Sequence, residues 1–201
     1  FDNVANLAPS AIKMLKERYE GTRLGRQELY AEILEDIEGA LFHGANIEQN
    51  RVELTPTLTR IVVSIDPAVT SNASSDETGI VVAGRGEDNH YYILEDFSGI
   101  FSPDVWIKKA IECYYKFDAD RIVCEVNNGG DLIEKLLRVQ DVNVPYTSVR
   151  ATRGKMLRAE PISALYEQDK VHHVGYFKEL EDQMTSYTPY TTKSPDRLDA
   201  L

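Results

Sequence analysis

Acidic residues follow short apolar runs at two places in this chain, and two further acids begin a predicted helix near its end. Asp66 and Glu125 each come directly after such a run, and Asp196 is followed one helical turn later by Asp199. An acid at the end of a buried strand is costly unless it is paired, hydrogen-bonded or bound to a metal. If the fold brings Asp66, Glu125 and Asp196 together, their like charges repel one another, and a divalent cation relieves that repulsion. The pattern therefore indicates metal-dependent phosphodiester hydrolysis.

The apolar periodicity after residue 59 predicts alternating strands and helices in an α/β domain. The predicted strands are 60–66, 78–84, 90–94, 121–126 and 144–149, and the predicted helices begin near 103, 131, 154 and 180. This order of elements is that of the ribonuclease H-like fold. We therefore predict a mixed sheet, with its first three strands antiparallel and the later ones parallel, flanked by helices. In that fold catalytic carboxylates lie on the first strand, on the fourth strand and at the start of a later helix, where Asp66, Glu125 and Asp196 stand.

The N-terminal part of the chain has a different pattern. Residues 1–42 carry apolar residues at helical spacing on both sides of a break at Gly21 and Thr22. We predict an N-terminal helical arm there, followed by a polar linker over 43–59, so that arm and linker form region 1–59 and the α/β domain is 60–201. The chain begins at Phe1 and stops within a predicted helix, and we expect it to be a fragment of a larger protein.

The formal net charge of −11 argues against a stand-alone, high-affinity DNA-binding protein, which would be basic. It does not exclude a nuclease, because metal-binding acids add negative charge and another domain can hold the polymer. Four basic residues cluster around the start of the helix near 154. They are Arg150, Arg153, Lys155 and Arg158. We predict that they contact DNA phosphates, with a solvent-exposed helix face as the alternative.

The remaining polar candidates carry less weight. Asp76 suits a turn as well as a metal site, and Asn127 and Asn128 suit the entry to a helix. His172 and His173 are predicted to be exposed strand residues rather than ligands.

The two cysteines and the hydropathy exclude other classes of protein. Cys113 and Cys124 have a spacing that fits neither a zinc site nor a disulfide framework, and we predict reduced thiols in the core. No apolar run approaches the roughly 20 residues of a membrane span. We therefore expect no membrane partner.

Four stretches of the chain resemble, in order, the large terminase subunit of tailed bacteriophages. They are 19–29, 64–68 with 76–82, 125–130 and 196–201. The resemblance implies the C-terminal nuclease of a viral DNA-packaging motor, which cuts concatemeric double-stranded genome DNA at the initiation and termination of packaging. It also implies the partners: double-stranded DNA, the ATPase domain of the same polypeptide, the portal and the small terminase subunit, in the host cytoplasm. The sequence holds no Gly-x-x-x-x-Gly-Lys-[Ser/Thr] phosphate loop, so we expect that ATPase domain to lie outside this chain.

The resemblance also implies a role for each acid. Two-metal hydrolysis needs carboxylates that bridge or flank ions about 4 Å apart. We predict that Asp66 is the shared ligand, because the first strand is central in the fold. Glu125 would hold one ion and Asp196 the other, with two Mg²⁺ or Mn²⁺ ions as cofactors. Many relatives carry two adjacent acids at the last motif, whereas here Pro195 precedes Asp196, so Asp199 is the alternate third ligand.

Two other functions stay open from the sequence. A Holliday-junction resolvase or transposase-like nuclease would share the fold, but the predicted helical arm argues against it. A non-catalytic ribonuclease H-like module that docks motor subunits would fit the strongly negative charge. Loss of one of the three acids would favour that module, and all three are present.

Overall fold

The computed structural model describes residues 37–68, 77–126, 130–192 and 194–201 of the chain. These residues form a six-stranded sheet with the strand order β5-β4-β1-β2-β3-β6. The strands are β1 (Leu58–Asp66), β2 (Gly79–Gly86), β3 (Tyr91–Asp96), β4 (Arg121–Glu125), β5 (Tyr146–Val149) and β6 (Val171–His173). The helices are α1 (Gly44–Gln49), α2 (Pro103–Lys116), α3 (Gly130–Gln140), α4 (Lys155–Glu167), α5 (Lys178–Ser186) and α6 (Asp196–Asp199). Residues 1–36 of the predicted helical arm lie outside the described residues.

The strand pairing confirms the predicted mixed sheet. β2 pairs antiparallel with both β1 and β3. β4 pairs parallel with β1 and with β5, and β6 pairs parallel with β3 at the opposite edge. β1 begins two residues before its predicted start, and β2 and β3 each end two residues beyond their predicted ends, because the pairing continues past the apolar runs into Arg85 and Asp96.

One face of the sheet packs against α2 and α3. Pro103 occupies the first turn of α2, where its fixed φ angle suits a helix start. The inward side of α2 carries Trp106, Ala110 and Cys113, all buried against β1 and β4. Cys113 and Cys124 are both buried free thiols, as predicted.

The other face packs against α1, α4, α5 and α6. Phe42 and Ile47 are buried in this layer together with Leu180 and Met184 of α5. The polar segment predicted as a linker over 43–59 therefore contains a helix, α1, with an apolar side chain in the core. Ser163 of α4 also donates a hydrogen bond from Oγ to the carbonyl oxygen of Leu41 over 2.7 Å.

The prediction that the two strand histidines are exposed is wrong for His173. Its side chain is completely buried, and its Nδ1 lies 2.9 Å from Oε1 of Glu181. Nε2 accepts a hydrogen bond from the hydroxyl of Tyr166 over 2.8 Å. The helices α4 and α5 cover β6 in the fold and supply these partners, which periodicity in a three-residue strand does not reveal.

Candidate metal centre

The candidate site begins where two parallel strands end at the same edge of the sheet. Ile65 of β1 is the register partner of Cys124 of β4, so Asp66 and Glu125 follow at neighbouring positions. Ile65 and Cys124 are buried on the face that packs against α2. Because side chains alternate along a strand, Asp66 and Glu125 lie on the opposite face, the one that carries α4 and α6.

Helix α6 brings two further carboxylates to this edge. One carboxylate oxygen each from Asp66, Asp196 and Asp199 lies within 4.8 Å of the others. Asp196 is buried, and its Oδ2 accepts a hydrogen bond from the backbone amide of Glu77 over 2.8 Å. The structure thus assembles both of the alternative third ligands, Asp196 and Asp199, beside Asp66.

A glycine allows α6 to lie this close to the sheet. A side chain at Gly79 of β2 would place its Cβ 2.8 Å from Cβ of Ala200 and closer still to the carbonyl oxygen of Asp196. Such contacts are not tolerated in folded proteins without a shift of the backbone. The position of Asp196 relative to Asp66, which pairs with Gly79, therefore depends on the absence of a side chain there.

The site destabilises the charged form of Asp66. Burial, followed by the nearby charges of Asp199 and Glu125, raises the pKa of Asp66 to about 7, although Lys155 opposes the shift. A cluster of hard carboxylate oxygens with unfavourable mutual charge is the donor set that Mg²⁺ and Mn²⁺ prefer. The residues present therefore fit the divalent cations that the sequence predicts.

Two of the four predicted DNA contacts form ion pairs with the acids. Lys155 forms an ion pair with Asp199 and donates a hydrogen bond to Oγ of Ser194 over 2.7 Å. Arg158 forms an ion pair with Glu125, and its Nη2 lies 3.7 Å from Oδ1 of Asp199. Both cations come from the first turn of α4, which crosses the acidic edge of the sheet. Glu125 is thus paired with Arg158 and is not among the three acids whose oxygens lie within 4.8 Å of one another.

The other two predicted DNA contacts, Arg150 and Arg153, are exposed in the segment between β5 and α4. Together with Glu125 and Arg158 they line a shallow pocket at the acidic edge. They remain candidates for contact with an anionic substrate. Three weaker candidates, Asp76, Asn127 and Asn128, lie outside the described residues.

The sequence analysis overlooked an ion-pair network that anchors α6. Arg197 donates from Nε to Oε2 of Glu77 over 2.9 Å and from Nη1 to Oδ2 of Asp96 over 2.7 Å. Glu77 also holds Asp196 through its backbone amide. Asp96 is the last residue of β3, as Asp66 is the last residue of β1. This third acid at the end of a strand is the sequence signal that could have revealed the network.

Comparison with known families identifies the chain. The model of the terminase RNase H-like domain matches residues 63–201, and the chain therefore belongs to this terminase RNase H-like family. No curated protein matches the chain significantly. The mixed six-stranded sheet agrees with this assignment, which the sequence resemblance also predicts.

Solved terminase nucleases share the fold at low sequence identity. The large terminase nuclease from thermophilic phage G20c superposes with a TM-score of 0.53 at 13% identity, over 81% of this chain and 95% of that chain. The nuclease domain of the large terminase subunit gp2 of bacterial virus Sf6 superposes with a TM-score of 0.59 at 11% identity, over 80% of this chain and 96% of that chain. The HK97 bacteriophage large terminase gives 0.55 at 10% identity; 97% of this chain is covered but only 51% of that protein. This chain therefore spans about half of the HK97 protein.

Some of these relatives have been solved with metals. The G20c nuclease has a structure with bound zinc, and a variant of the Sf6 nuclease domain has one with manganese. Within the described part of this chain, no helix is long and apolar enough to cross a membrane.

Proposed function

We propose that this chain is the metal-dependent endonuclease of a phage DNA-packaging motor, which cuts concatemeric double-stranded DNA at the start and end of packaging. The observation that carries the proposal is the cluster of Asp66, Asp196 and Asp199 in a member of the terminase RNase H-like family, with one oxygen from each residue within 4.8 Å of the others. Burial and the neighbouring carboxylates together raise the pKa of Asp66 to about 7, a perturbation typical of functional sites.

The acids supply the donor set for two Mg²⁺ or Mn²⁺ ions. Asp66, Asp196 and Asp199 are the proposed ligands, and Glu125 of the neighbouring strand is the proposed ligand of the second ion. Bound divalent ions would lower the pKa of the attacking water and stabilise the leaving oxygen of the phosphodiester. The manganese and zinc complexes of the Sf6 and G20c nucleases support this choice of cofactor class.

Lys155 and Arg158 balance the charge of the acids when no divalent cation is bound. Lys155 pairs with Asp199, and Arg158 pairs with Glu125. If these carboxylates held divalent cations, the ammonium group of Lys155 and the guanidinium group of Arg158 would be available to substrate phosphates at the same edge. Arg150 and Arg153, exposed beside them, would extend the contact along the DNA backbone without reading bases.

The organisation of the whole protein is part of the proposal. We assign 60–201 to the nuclease and 1–59 to an arm and linker that join it to an ATPase domain outside this chain. The family model begins at residue 63, and the HK97 large terminase is about twice as long as this chain, which supports that division. The portal and small terminase subunit are the proposed protein partners, in the host cytoplasm.

Cleavage of supercoiled plasmid tests the nuclease directly. With Mn²⁺ or Mg²⁺ we expect nicked and linear products from the wild-type chain, and about a thousandfold slower cutting by Asp66→Asn, since several kcal/mol of charge stabilisation is lost. Asp118→Asn is the matched control: Asp118 is exposed, and its backbone has a left-handed φ of 49°, a conformation that Asn also tolerates. Equal cutting by wild type and Asp66→Asn would refute the assigned centre.

One observation favours a second candidate, a non-catalytic docking module of the motor. Lys155 and Arg158 already neutralise Asp199 and Glu125, so ion pairs can hold the site together without a metal. Titration calorimetry with Mn²⁺ separates the two functions. Heat of binding that disappears in Asp66→Asn supports the nuclease, whereas no binding by the wild type together with no plasmid cutting supports the docking module.

A further inference from the structure

Half of one sheet face is open in the described part of the structure. In β1 and β4 the residues that face α2, such as Val63 and Ile122, are fully buried. The alternate residues on the α4 and α6 side, Val62, Ser64 and Val123, are only half-buried. The same face of β2 is covered, since Val81 is fully buried. An open strip therefore runs along β1 and β4, from the acidic edge of the sheet to its other end.

Three arginines occupy the far end of this strip on three adjacent strands. Arg60 of β1 is the register partner of Arg85 of β2, and Val62 of β1 is the partner of Arg121 of β4. Because register partners share a face, and positions 60, 62 and 66 of β1 share it too, all three arginines lie on the side of Asp66. Arg60 and Arg85 are exposed and Arg121 is half-buried.

Among the described residues, the side-chain hydrogen-bond partners of Arg85 and Arg121 are neutral. Arg121 donates from Nη1 to Oγ1 of Thr147 over 3.2 Å, while its buried Nε has no partner. Arg85 donates to Oδ1 of Asn89 over 2.6 Å. The acid nearest in sequence, Asp120, uses Oδ2 to accept the amide of Ile61 over 2.8 Å.

The arrangement costs stability unless an anion binds. Like charges directly opposite each other on neighbouring strands, as in Arg60 and Arg85, destabilise a sheet. A guanidinium that lacks a carboxylate is suited to phosphate, which it can bind through two hydrogen bonds. In a chain with a net charge of −11, a cationic row on an open face is the complement of a polyanion.

We propose that Arg60, Arg85 and Arg121 bind the phosphate backbone of the DNA duplex that is cut at the metal centre, an inference that rests on the proposed function. Arg60 and Asp66 are six residues apart on one strand, which corresponds to roughly 20 Å. That distance is about six base-pair steps of duplex DNA, at about 3.4 Å each. The open strip thus aligns the duplex along β1, with the arginines at one end and the cutting site at the other.

Fluorescence anisotropy of a labelled duplex of about 30 base pairs tests this surface. EDTA in the buffer removes divalent cations, so binding is measured without cleavage. At about 50 mM salt we expect the double variant Arg60→Gln/Arg121→Gln to bind about tenfold more weakly than the wild type. The slope of log affinity against log salt should fall by about 2, and by about 1 more when Arg85→Gln is added. The matched control is Lys108→Gln/Lys135→Gln, which removes the same charge from exposed positions of α2 and α3 on the opposite side of the sheet.

Two further measurements keep the test interpretable. Mn²⁺ affinity by calorimetry should be equal in the wild type and the double variant, because the arginines lie far from the acids. The exposed single variant Arg60→Gln should melt no lower than the wild type, since it removes the repulsion from Arg85. A lower affinity for DNA then reports the surface and not misfolding.

The outcomes separate this inference from the proposed function. Unchanged affinity and salt slope in the double variant, an equal loss in the control, or no duplex binding by the wild type would overturn the arginine surface. If the wild type binds the duplex through these arginines but cuts no plasmid with Mn²⁺ or Mg²⁺, the nuclease proposal fails and the DNA-binding surface stands.

Discussion

The molecule holds two buried clusters of acids that behave in opposite ways. At Glu181 of α5, burial alone would raise the pKa, but hydrogen bonds from His173 and Arg51 outweigh it and lower the pKa to about 2. At Asp66, burial acts together with neighbouring carboxylates, and the pKa rises to about 7. Burial acts to raise the pKa of both acids, so burial does not explain why one pKa rises and the other falls.

The difference lies in the cations that the fold supplies. Arg51 donates to both carboxylate oxygens of Glu181, over 2.7 and 3.0 Å. Burial lowers the pKa of His173 and keeps its ring neutral, with Nδ1 as donor to Glu181 and Nε2 as acceptor from Tyr166. Glu181 is therefore fully satisfied by the protein itself, as expected of a structural acid. The cluster at Asp66 has more carboxylates than cations, as expected of a site that binds metal.

Removing the acid of the satisfied cluster should cause the largest effect on stability. Glu181→Gln removes one of the two carboxylates that pair with buried Arg51 and leaves it with Glu48 alone. It also removes the charged acceptor of His173, and we expect a loss of about 3 kcal/mol in the free energy of unfolding. For a chain of this size that corresponds to roughly 10 °C in the melting temperature. Thermal unfolding followed by circular dichroism measures the shift. The control is Glu179→Gln, an exposed position on the same helix, and an equally small shift in both variants would contradict the prediction.

The two clusters should respond to pH in separate ranges. The raised pKa of Asp66 means that the folded protein binds more protons than the unfolded chain between pH 4 and about 7, so stability falls as pH rises through that range. The lowered pKa of Glu181 means that its contribution is present above its usual pKa of 4.5 and is lost as pH falls towards about 2.

Urea unfolding of the metal-free protein at several pH values tests this separation. As pH rises from 5 to 7, we expect the free energy of unfolding of the wild type to fall by roughly 2 kcal/mol relative to that of Asp66→Asn. The variant has no carboxyl group to ionise at this position. Added Mn²⁺ should reverse the loss in the wild type by binding the folded state. If stability depended on pH in the same way in the wild type and Asp66→Asn, the pKa of Asp66 would not be raised.

The smallest expected effect comes from changing Arg197, which anchors α6 and so positions Asp196 in the acidic cluster. Arg197→Lys keeps the charge but loses the fork that joins Glu77 to Asp96, so α6 should hold Asp196 less firmly. We expect about a tenfold loss of Mn²⁺ affinity, typical of residues that orient ligands. Calorimetry measures it, with Arg138→Lys on α3 as the control. Equal Mn²⁺ affinity in the wild type and Arg197→Lys would show that α6 needs no such anchor.

The sequence pattern predicted those features that neighbouring residues determine, namely the strands and the acids at their ends. An apolar run that ends in Asp66 or Glu125 reveals a buried strand with an acid at its end, and the order of elements reveals a mixed sheet that places both acids at one edge. The pattern could not show that Arg158 would hold Glu125, because that pairing depends on how α4 crosses the sheet.

The cluster at Glu181 escaped prediction for the same reason. Arg51 and Glu181 are 130 residues apart, and His173 meets them only when β6 joins the edge of the sheet. In the sequence Glu181 stands among charged and polar residues of α5, where a solvent-exposed position is the simplest interpretation. Long-range packing decides which of these polar groups is buried, and neither composition nor spacing records it.

The close approach at Gly79 also bears on how a site of this kind can change during evolution. Gly79 has no functional group, yet it sets the distance between the helix that carries two acids and the strand that carries the third. A single added methyl group there would leave every acid in the sequence and still disturb their alignment. Activity in a homologue therefore cannot be judged from its acids alone, and a lineage could lose cutting while its acidic motifs persist.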